Sequence, residues 1–310
     1  MRVAVLGYGA IARRHLDILR GMDFGEPLDV TILRARRLPL NEEHAWCRVA
    51  FEMQEILDFA PQAAIVASPA SEHIRQGQLL ADIGADLLIE KPLSIDLAGI
   101  DELIELCDEK KLVFMVGYNL AFLDALNEFI QDVHKGGVGD LLTVEANVGQ
   151  YLPDWRRTDY RSSVSADASL GGGVIMELSH ELEYVDRLIG GTDEIFCFSG
   201  KSGLLEMNAE DCADIVMRNS GGILAHVHMD MLQKEPVRAC TVFGSAGRAS
   251  LDMIPAPGDR NKMYEDQLAH FFECRKGTAT PRVSGLRGRR VMELILAAKE
   301  SAEKGIKVTV

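Results

Sequence analysis

Through its first 117 residues the chain alternates short apolar runs with stretches of helical period. Val3–Leu6, Leu28–Leu33, Ala63–Ala67, Asp86–Glu90 and Leu112–Val116 read as strands, most of them apolar on both faces. Between them the spacing predicts helices: one opening at Ala10 with Ala12, Leu16 and Leu19 on one face, and a short one over Met53–Phe59. Two more follow, one from an N-cap at Ser71 to Ile83, the other from Ser94 or Asp96 to about Lys110. Strands buried on both faces and separated by helices predict a parallel sheet with right-handed crossovers, which binds ligands beyond the carboxyl ends of its strands.

The pattern changes after residue 117. Leu141–Val148 alternates, with Leu142, Val144, Ala146 and Val148 on one side, as a half-buried strand does. Ile195–Ser199, Ala213–Arg218, Ile223–Met231 and Val237–Phe243 are further strand-like runs, and Asn219-Ser220-Gly221-Gly222 between the second and third is a hairpin signal. An open antiparallel sheet is expected from them, closed by helices near Tyr264–Arg275 and Leu286–Lys304 and an edge strand at Ile306–Val310. Ahead of these, Gly171-Gly172-Gly173 opens a helix with two faces. Ile175, Leu178, Leu182, Val185 and Ile189 form an apolar stripe; Glu177, His180, Glu181 and Tyr184 form a polar one, which a solvated face would also produce.

Chemistry enters at the first strand-to-helix turn. Gly7-Tyr8-Gly9-Ala10-Ile11-Ala12 follows a strand and opens a helix, which is the order a dinucleotide site needs. Gly7 permits the tight turn, Gly9 lets backbone approach a pyrophosphate, and the helix N-terminus presents N–H groups to the phosphates. Ala12 stands where a third glycine would be. The motif's place at the head of a β-α-β pattern favours a cofactor loop over an ordinary glycine turn. At the end of the second strand an NAD site would carry a carboxylate for the ribose hydroxyls. Arg34 stands there instead, with Arg36 and Arg37 beyond, which fits a 2′-phosphate and favours NADP, with NAD as the alternative. Ser68-Pro69 and Glu90-Lys91-Pro92 lie at strand ends on the same edge as Gly7. Lys91 is the candidate acid or base: partial desolvation lowers an ammonium's pKa into a working range. Glu90 is placed to orient it, and a cis Lys91–Pro92 bond would fix its direction. A solvated lysine before a turn-forming proline is the plainer account of the same residues.

Composition narrows the partners. The formal net charge of −14 argues against nucleic acid or an anionic membrane. Six scattered cysteines without a C-x-x-C pair read as buried thiols, and no apolar run reaches membrane-spanning length. The chain opens on a motif-bearing strand, so no signal peptide is expected and a cytoplasmic location is. Bunched arginines suit small anionic ligands, although Arg13 and Arg14 alone read as surface. Within the aperiodic segment from Gly149 to Leu170, Trp155 and Tyr160 are suited to stack on a sugar ring, and Arg156, Arg157 and Arg161 to hold a carboxylate or phosphate. An oligomer contact or a surface flap fits that loop equally. His226, His228 and Asp230 alternate onto one strand face without an evident fourth ligand, so they read as a polar sheet face at a subunit contact and no metal is expected.

The glycine loop, Ser68-Pro69 with His73 downstream, and Glu90-Lys91-Pro92 together resemble the glucose-fructose oxidoreductase/inositol dehydrogenase (Gfo/Idh/MocA) family. Val116-Gly117-Tyr118-Asn119 is similar to the family's entry into its second domain, and the glycine triplet to the head of its second-domain helix. The resemblance implies an α/β chain: a Rossmann doubly wound parallel sheet at 1–117 and a substrate-binding and oligomerisation domain with a large open, mostly antiparallel sheet at 118–310. It implies hydride transfer between nicotinamide and a sugar-like hydroxyl or carbonyl, with Lys91 as proton donor or acceptor. Tyr118, Asn119 and Glu181 join the loop residues as substrate contacts. In many members an Asp and, four residues later, a His occupy the helix; here Glu177 replaces the Asp, Glu181 falls at the His, and His180 lies one residue, about 100°, away. Glu177 and His180 are the candidate partners of Lys91. The Tyr151–Arg156 loop with Ser179-His180-Glu181 is similar to a subgroup associated with bacterial surface sugars. Ala121 and Leu123 depart from that subgroup's Arg and His. The expected partners are a sugar, sugar acid or nucleotide-activated sugar, and further copies of the chain, as a dimer or tetramer through the second sheet. A cofactor-binding sensor without turnover is the alternative, and redox-assisted glycoside cleavage a third reading.

Overall fold

A computed structural model of the chain describes residues 1–37, 39–155, 159–254 and 261–310. The chain divides into two compact units, Met1–Asn119 with Asn261–Arg289, and Leu120–Arg260 with Arg290–Val310.

In the first unit the apolar runs form β1 (Arg2–Leu6), β2 (Asp29–Leu33), β3 (Arg48–Ala50), β4 (Ala63–Val66), β5 (Asp86–Glu90) and β6 (Phe114–Gly117). They pair in the order β3-β2-β1-β4-β5-β6, all parallel. The helices α1 (Ala10–Gly21), α2 (Met53–Phe59), α3 (Ala70–Asp82) and α4 (Ile100–Lys110) connect them. Val3 to Leu6 and Ala63 to Val66 are wholly buried, as the unbroken apolar runs require. Strand order reverses between β1 and β4, which makes their carboxyl ends the switch point where such sheets bind ligands. Helix α3 begins at Ala70 with Pro69 at its N-cap, not Ser71. Helix α4 begins at Ile100 behind a left-handed Gly99, later than Ser94 or Asp96, because residues 94–99 form bends and turns. The strand β3, only 3 residues long, is an element the sequence pattern does not announce.

One later segment joins this unit. Helix α8 (Lys262–Arg275), which the 117/118 boundary assigns to the second domain, packs on α1. Phe24 meets Phe272 edge to face at 4.9 Å. The guanidinium of Arg14 lies 4.6 Å from the Tyr264 ring, and Arg275 pairs with Asp86 at 3.0 Å. Sequence separation hides this return, since Arg14, Phe24 and Asp86 all lie far from α8 along the chain.

In the second unit, helix α5 (Asp124–His134) precedes β7 (Leu141–Gly149). Four short 3-10 turns at Leu152–Asp154, Tyr160–Ser162, Val164–Ala166 and Ala168–Leu170 occupy the aperiodic segment. Then come α6 (Val174–Glu177), α7 (His180–Leu188), β8 (Glu194–Gly200), β9 (Cys212–Arg218), β10 (Leu224–Asp230), β11 (Val237–Gly244), β12 (Gly247–Asp252), α9 (Gly285–Lys304, whose residues from Arg290 belong to this unit) and β13 (Val308–Thr309). The seven strands pair in the order β12-β11-β7-β10-β9-β8-β13, antiparallel except for β7 with β10. The hairpin predicted at Asn219–Gly222 joins β9 to β10, and β13 is the edge strand. Helix α7 packs on β7 and β10. On the sheet's other face Phe198, Val216 and Leu224 are exposed. Leu142 is exposed as well, although it shares the parity of buried Val144, Ala146 and Val148, because it sits at the end of its strand.

The glycine triplet heads a broken helix, not one continuous helix. Leu178 and Ser179 form a turn between α6 and α7, and the Glu181 N–H bonds back to the Leu178 carbonyl three residues away. The polar stripe is not solvated either: His180, Glu181 and Tyr184 are buried and Glu177 is half-buried, and Glu183 and Asp186 are buried as well. All six cysteines are free thiols, five of them buried and Cys212 half-buried. Among the described residues no helix is long and apolar enough to cross a membrane.

Candidate active site

Beyond the carboxyl ends of β1, β4 and β5 lie three neighbouring turns. After β1 the chain passes Gly7 at φ +103° and Gly9 at the N-cap of α1. The Gly7 N–H bonds to Leu33 O at 3.0 Å, and a Cβ on Gly7 would stand 2.4 Å from Ala67 O. Gly7 is therefore demanded twice, by its backbone conformation and by the closeness of the β4 turn. Gly9 differs: its φ is −73° and a Cβ there would meet nothing within 4 Å. No side chain caps α1, so open space adjoins the N–H groups of its first turn, Ala10 and Ile11 included. A pyrophosphate fits that space on chemistry the chain itself supplies, since the dipole and the N–H groups both favour an anion.

Tyr8, between the two glycines, is fixed from several sides. Its hydroxyl lies 2.9 Å from His44 Nδ1 and accepts the Asn41 N–H at 2.9 Å, and His44 Nε2 is 2.9 Å from Asp17. Above its ring lies the guanidinium of Arg34, 4.4 Å from the centroid, with Arg13 at 5.7 Å. Arg34 thus stands at the end of β2 with its cation directed to the glycine turn, and it is buried.

The turns after β4 and β5 are joined from below by His73. Its Nε2 lies 2.9 Å from Ser68 O and its Nδ1 3.0 Å from Pro92 O. Burial pushes the His73 pKa below the usual imidazole range, against the pull of the carbonyls. Ser68 donates its hydroxyl to Gln76 Oε1 at 2.7 Å. The Lys91–Pro92 peptide is cis, and Lys91 is half-buried at the end of β5.

Glu90 is held by a residue that the sequence reading passes over. Its Oε1 lies 2.7 Å from Nε2 of His15, which is fully buried in α1, and its Oε2 faces the Lys91 backbone N–H at 3.3 Å. A Cβ on Gly117 would stand 2.9 Å from the Glu90 carboxyl, so the glycine ending β6 makes room for that carboxylate. The available signal for His15 is its place between Ala12 and Leu19 on the apolar stripe of α1. Asn119 and Tyr118 follow β6 directly; Tyr118 is wholly buried and Asn119 nearly so.

In the second unit the candidates are placed as follows. Glu177 accepts the Ser165 hydroxyl at 2.7 Å. Glu181 is fully buried and pairs with Arg238 Nε of β11 at 2.8 Å, so its carboxylate is committed inside the unit. His180, beside it, is 7% exposed, and Tyr184, whose phenol is pushed well above its usual pKa by burial and by the Glu181 charge, is wholly enclosed. Tyr160 accepts the Glu206 N–H at 2.9 Å. Arg161 pairs with Asp159 at 2.7 Å and Glu206 at 3.3 Å. Trp155 is half-buried, with no acceptor for its indole N–H among the described residues. Arg156 and Arg157 lie outside the described residues.

The model of the oxidoreductase family with an NAD-binding Rossmann fold matches residues 1–118, and that of the GFO/IDH/MocA C-terminal domain matches residues 128–250. A myo-inositol 2-dehydrogenase of Thermotoga maritima is 24% identical, over 98% of this chain and 97% of that protein. A UDP-N-acetylglucosamine 3-dehydrogenase of Acidithiobacillus ferrooxidans is also 24% identical, over 94% of this chain and 82% of its own length. Among solved structures, the WlbA dehydrogenase of Bordetella pertussis, in complex with NADH and UDP-GlcNAcA, superposes with a TM-score of 0.86 at 19% identity. That match covers 100% of this chain and 98% of the other, and it is a likeness of fold.

Proposed function

This chain belongs to the Gfo/Idh/MocA oxidoreductase family, and from that premise we propose that it transfers a hydride between a nicotinamide dinucleotide and a hydroxyl or carbonyl carbon of a sugar-like substrate. The observation that carries this reading is the convergence of three turns at one sheet edge: open space over Gly9, Arg34 stacked on Tyr8, and Lys91 at the end of β5. When bound, the dinucleotide supplies the hydride acceptor or donor. The chain's own residues do the rest. The N–H groups opening α1 hold the pyrophosphate, and Gly9 excludes nothing from it. Arg34 meets a 2′-phosphate, which makes NADP the proposed cofactor, with NAD the alternative within this family. Lys91 gives or takes the substrate oxygen's proton, and His73 lies between the Ser68 turn and the carbonyl of Pro92 beside it. His180 and Glu177, on either side of the α6–α7 turn, are the proposed partners of Lys91, and Trp155 is a stacking surface for the substrate ring.

The proposed substrates are a sugar, sugar acid or nucleotide-activated sugar, in surface-sugar metabolism. Support for this comes from the names of the relatives and from the loop motif. The exposed sheet face bearing Phe198, Val216 and Leu224 is the proposed contact between copies. A sensor without turnover is the second reading, and the burial of Glu181 against Arg238, at the place of the family's histidine, favours it. Titration with NADPH and NADH, followed by a substrate screen, tests the proposal. Lys91→Ala is expected to keep cofactor affinity and to lose about 10²- to 10⁴-fold in kcat. Binding of neither cofactor, or turnover that survives the substitution, would overturn it.

A further inference from the structure

Strands β9 and β10 pair with His228 directly opposite Asp214 and Asp230 directly opposite Cys212. Alternation sends Ala213, Ile215, Val227 and Met229 to the buried side. Cys212, Asp214, His226, His228 and Asp230 therefore share the other face. One donor atom each from Cys212, Asp214 and His228 lies within 4.8 Å of the other two. His228 Nδ1 is 2.9 Å from Asp214 Oδ1, and His226 Nε2 approaches the same oxygen at 3.0 Å. Cys212, the donor the sequence pattern of β10 cannot reveal, is also the one cysteine of the six that is not buried.

A supporting carboxylate stands behind His228. Its Nε2 lies 3.1 Å from Asp230 Oδ2, and Asp230 is buried. The Leu232 and Gln233 N–H groups fix the other Asp230 oxygen at 2.8 and 3.0 Å, and the Gln233 side-chain amide donates to Oδ2. Asp230 is thus held as the acceptor for one imidazole nitrogen, which leaves the other directed at Asp214. A carboxylate fixing the far nitrogen of a histidine is what orients imidazole ligands in metal centres.

We propose that Cys212, Asp214 and His228 bind a borderline-soft divalent cation of the Zn²⁺ class, with Asp230 as the positioning residue and a fourth position open to water or to His226. Thiolate, imidazole and a single carboxylate suit such an ion and not Mg²⁺ or Ca²⁺, which require oxygen donors. On binding, the thiol proton and the proton at His228 Nδ1 leave to solvent and the cation takes their places. Both strands come from one chain, so the site needs no second copy. Its role is a clamp across β9 and β10, independent of the proposed hydride transfer.

Co²⁺ is the probe, titrated into the full chain after chelator treatment and desalting, with Zn²⁺ competition and Mg²⁺ as the contrasting ion. The expected result is one Co²⁺ per chain with a thiolate-to-cobalt charge-transfer band, displaced by Zn²⁺ and unaffected by Mg²⁺. Cys212→Ser should abolish the band, and Asp230→Asn should weaken affinity by about 10- to 100-fold while leaving the band in place. His228→Gln provides a second ligand variant, and thermal melts in the presence of chelator check the fold of each. Absence of binding in the unmodified chain, binding without a thiolate band, or a band that survives Cys212→Ser would overturn the assignment.

Discussion

Two glycines one residue apart are predicted to respond to alanine in opposite ways. In Gly7→Ala the new Cβ would stand 2.4 Å from Ala67 O, 2.8 Å from Ala67 C and 3.1 Å from Ser68 N, at a backbone φ of +103°. The conformation costs about 1–3 kcal/mol for a residue with a Cβ. Relieving the contact means moving β1 from β4, whose ladder includes Ala67 N–H to Leu6 O at 2.8 Å, and overpacking of that kind costs about 1–3 kcal/mol more. The sum of about 2–6 kcal/mol corresponds to a fall in Tm of roughly 4–24 °C for a unit of this size. Gly9→Ala places its methyl where nothing lies within 4 Å, at a φ of −73° that alanine accepts. Its stability cost is at most about 1 kcal/mol, the difference between glycine and alanine at an N-cap.

Cofactor affinity reverses the order of interest. If the space over Gly9 receives the pyrophosphate, a methyl group there costs about 1–3 kcal/mol of binding, or about 5- to 150-fold in Kd. Thermal melts of both variants, with and without NADPH, and fluorescence titrations of Gly9→Ala check this. A Gly9→Ala protein that binds cofactor as tightly as the parent would refute the placement of the phosphates. A Gly7→Ala protein that melts with the parent would refute the close approach of β1 and β4.

Three further outcomes are expected. Arg34→Ala removes a cation stacked on Tyr8 and should weaken NADPH, but not NADH, by about 10- to 150-fold, the range of a hydrogen bond to a charged group; equal loss for both would remove the 2′-phosphate assignment. His73 has a folded pKa below its unfolded value of about 6.5, so the unfolded chain binds more protons in the window below 6.5. The stability His73 contributes is present above that value and declines as pH falls through it, and denaturant melts between about pH 7.5 and 5 should be steeper in pH for the parent than for His73→Gln. Arg238→Leu strands the buried Glu181 carboxylate and should destabilise by about 3–5 kcal/mol, read from urea midpoints, whereas Glu181→Met with Arg238→Leu should recover most of the loss.

Much of the first unit is legible in the chain because its signals are local. Val3–Leu6 followed by Gly7 and Gly9 gives strand, turn and helix within a dozen residues, and β5 ends where the apolar run meets Glu90-Lys91-Pro92. What escapes is what depends on distant partners. His15 looks like a polar residue interrupting an apolar stripe until Glu90, seventy-five positions away, is brought to it at 2.7 Å. Helix α8 has no local mark of the unit it serves. Cys212 reads as an isolated thiol until the β9–β10 register sets it across from Asp230. Periodicity also overstated the length of the glycine-headed helix, because Leu178 and Ser179 suit a helix by composition and only the backbone reveals the turn between α6 and α7.

Helix α7 is where local preference and burial disagree most. Glu181, Glu183 and Asp186 would suit a solvated helix, yet each, like Tyr184, is within 2% of complete burial. Burying Glu181 is tolerable only because Arg238 reaches it from β11, and an apolar pair of the same size would serve stability as well or better. What the charged pair adds is a unique rotation. Turning α7 by one residue, about 100°, would carry Glu181 away from Arg238 and leave a buried carboxylate without its cation, at about 3–5 kcal/mol. Asp186 strengthens the constraint through Arg290 of α9 at 3.6 Å, whereas the Glu183–Arg187 pair at 2.9 Å lies within α7 and turns with it. The helix is therefore pinned by ion pairs to β11 and α9, and the position of His180 at its first turn follows from that pinning. The buried glutamate at this position of α7 is thus accounted for by packing within the second unit.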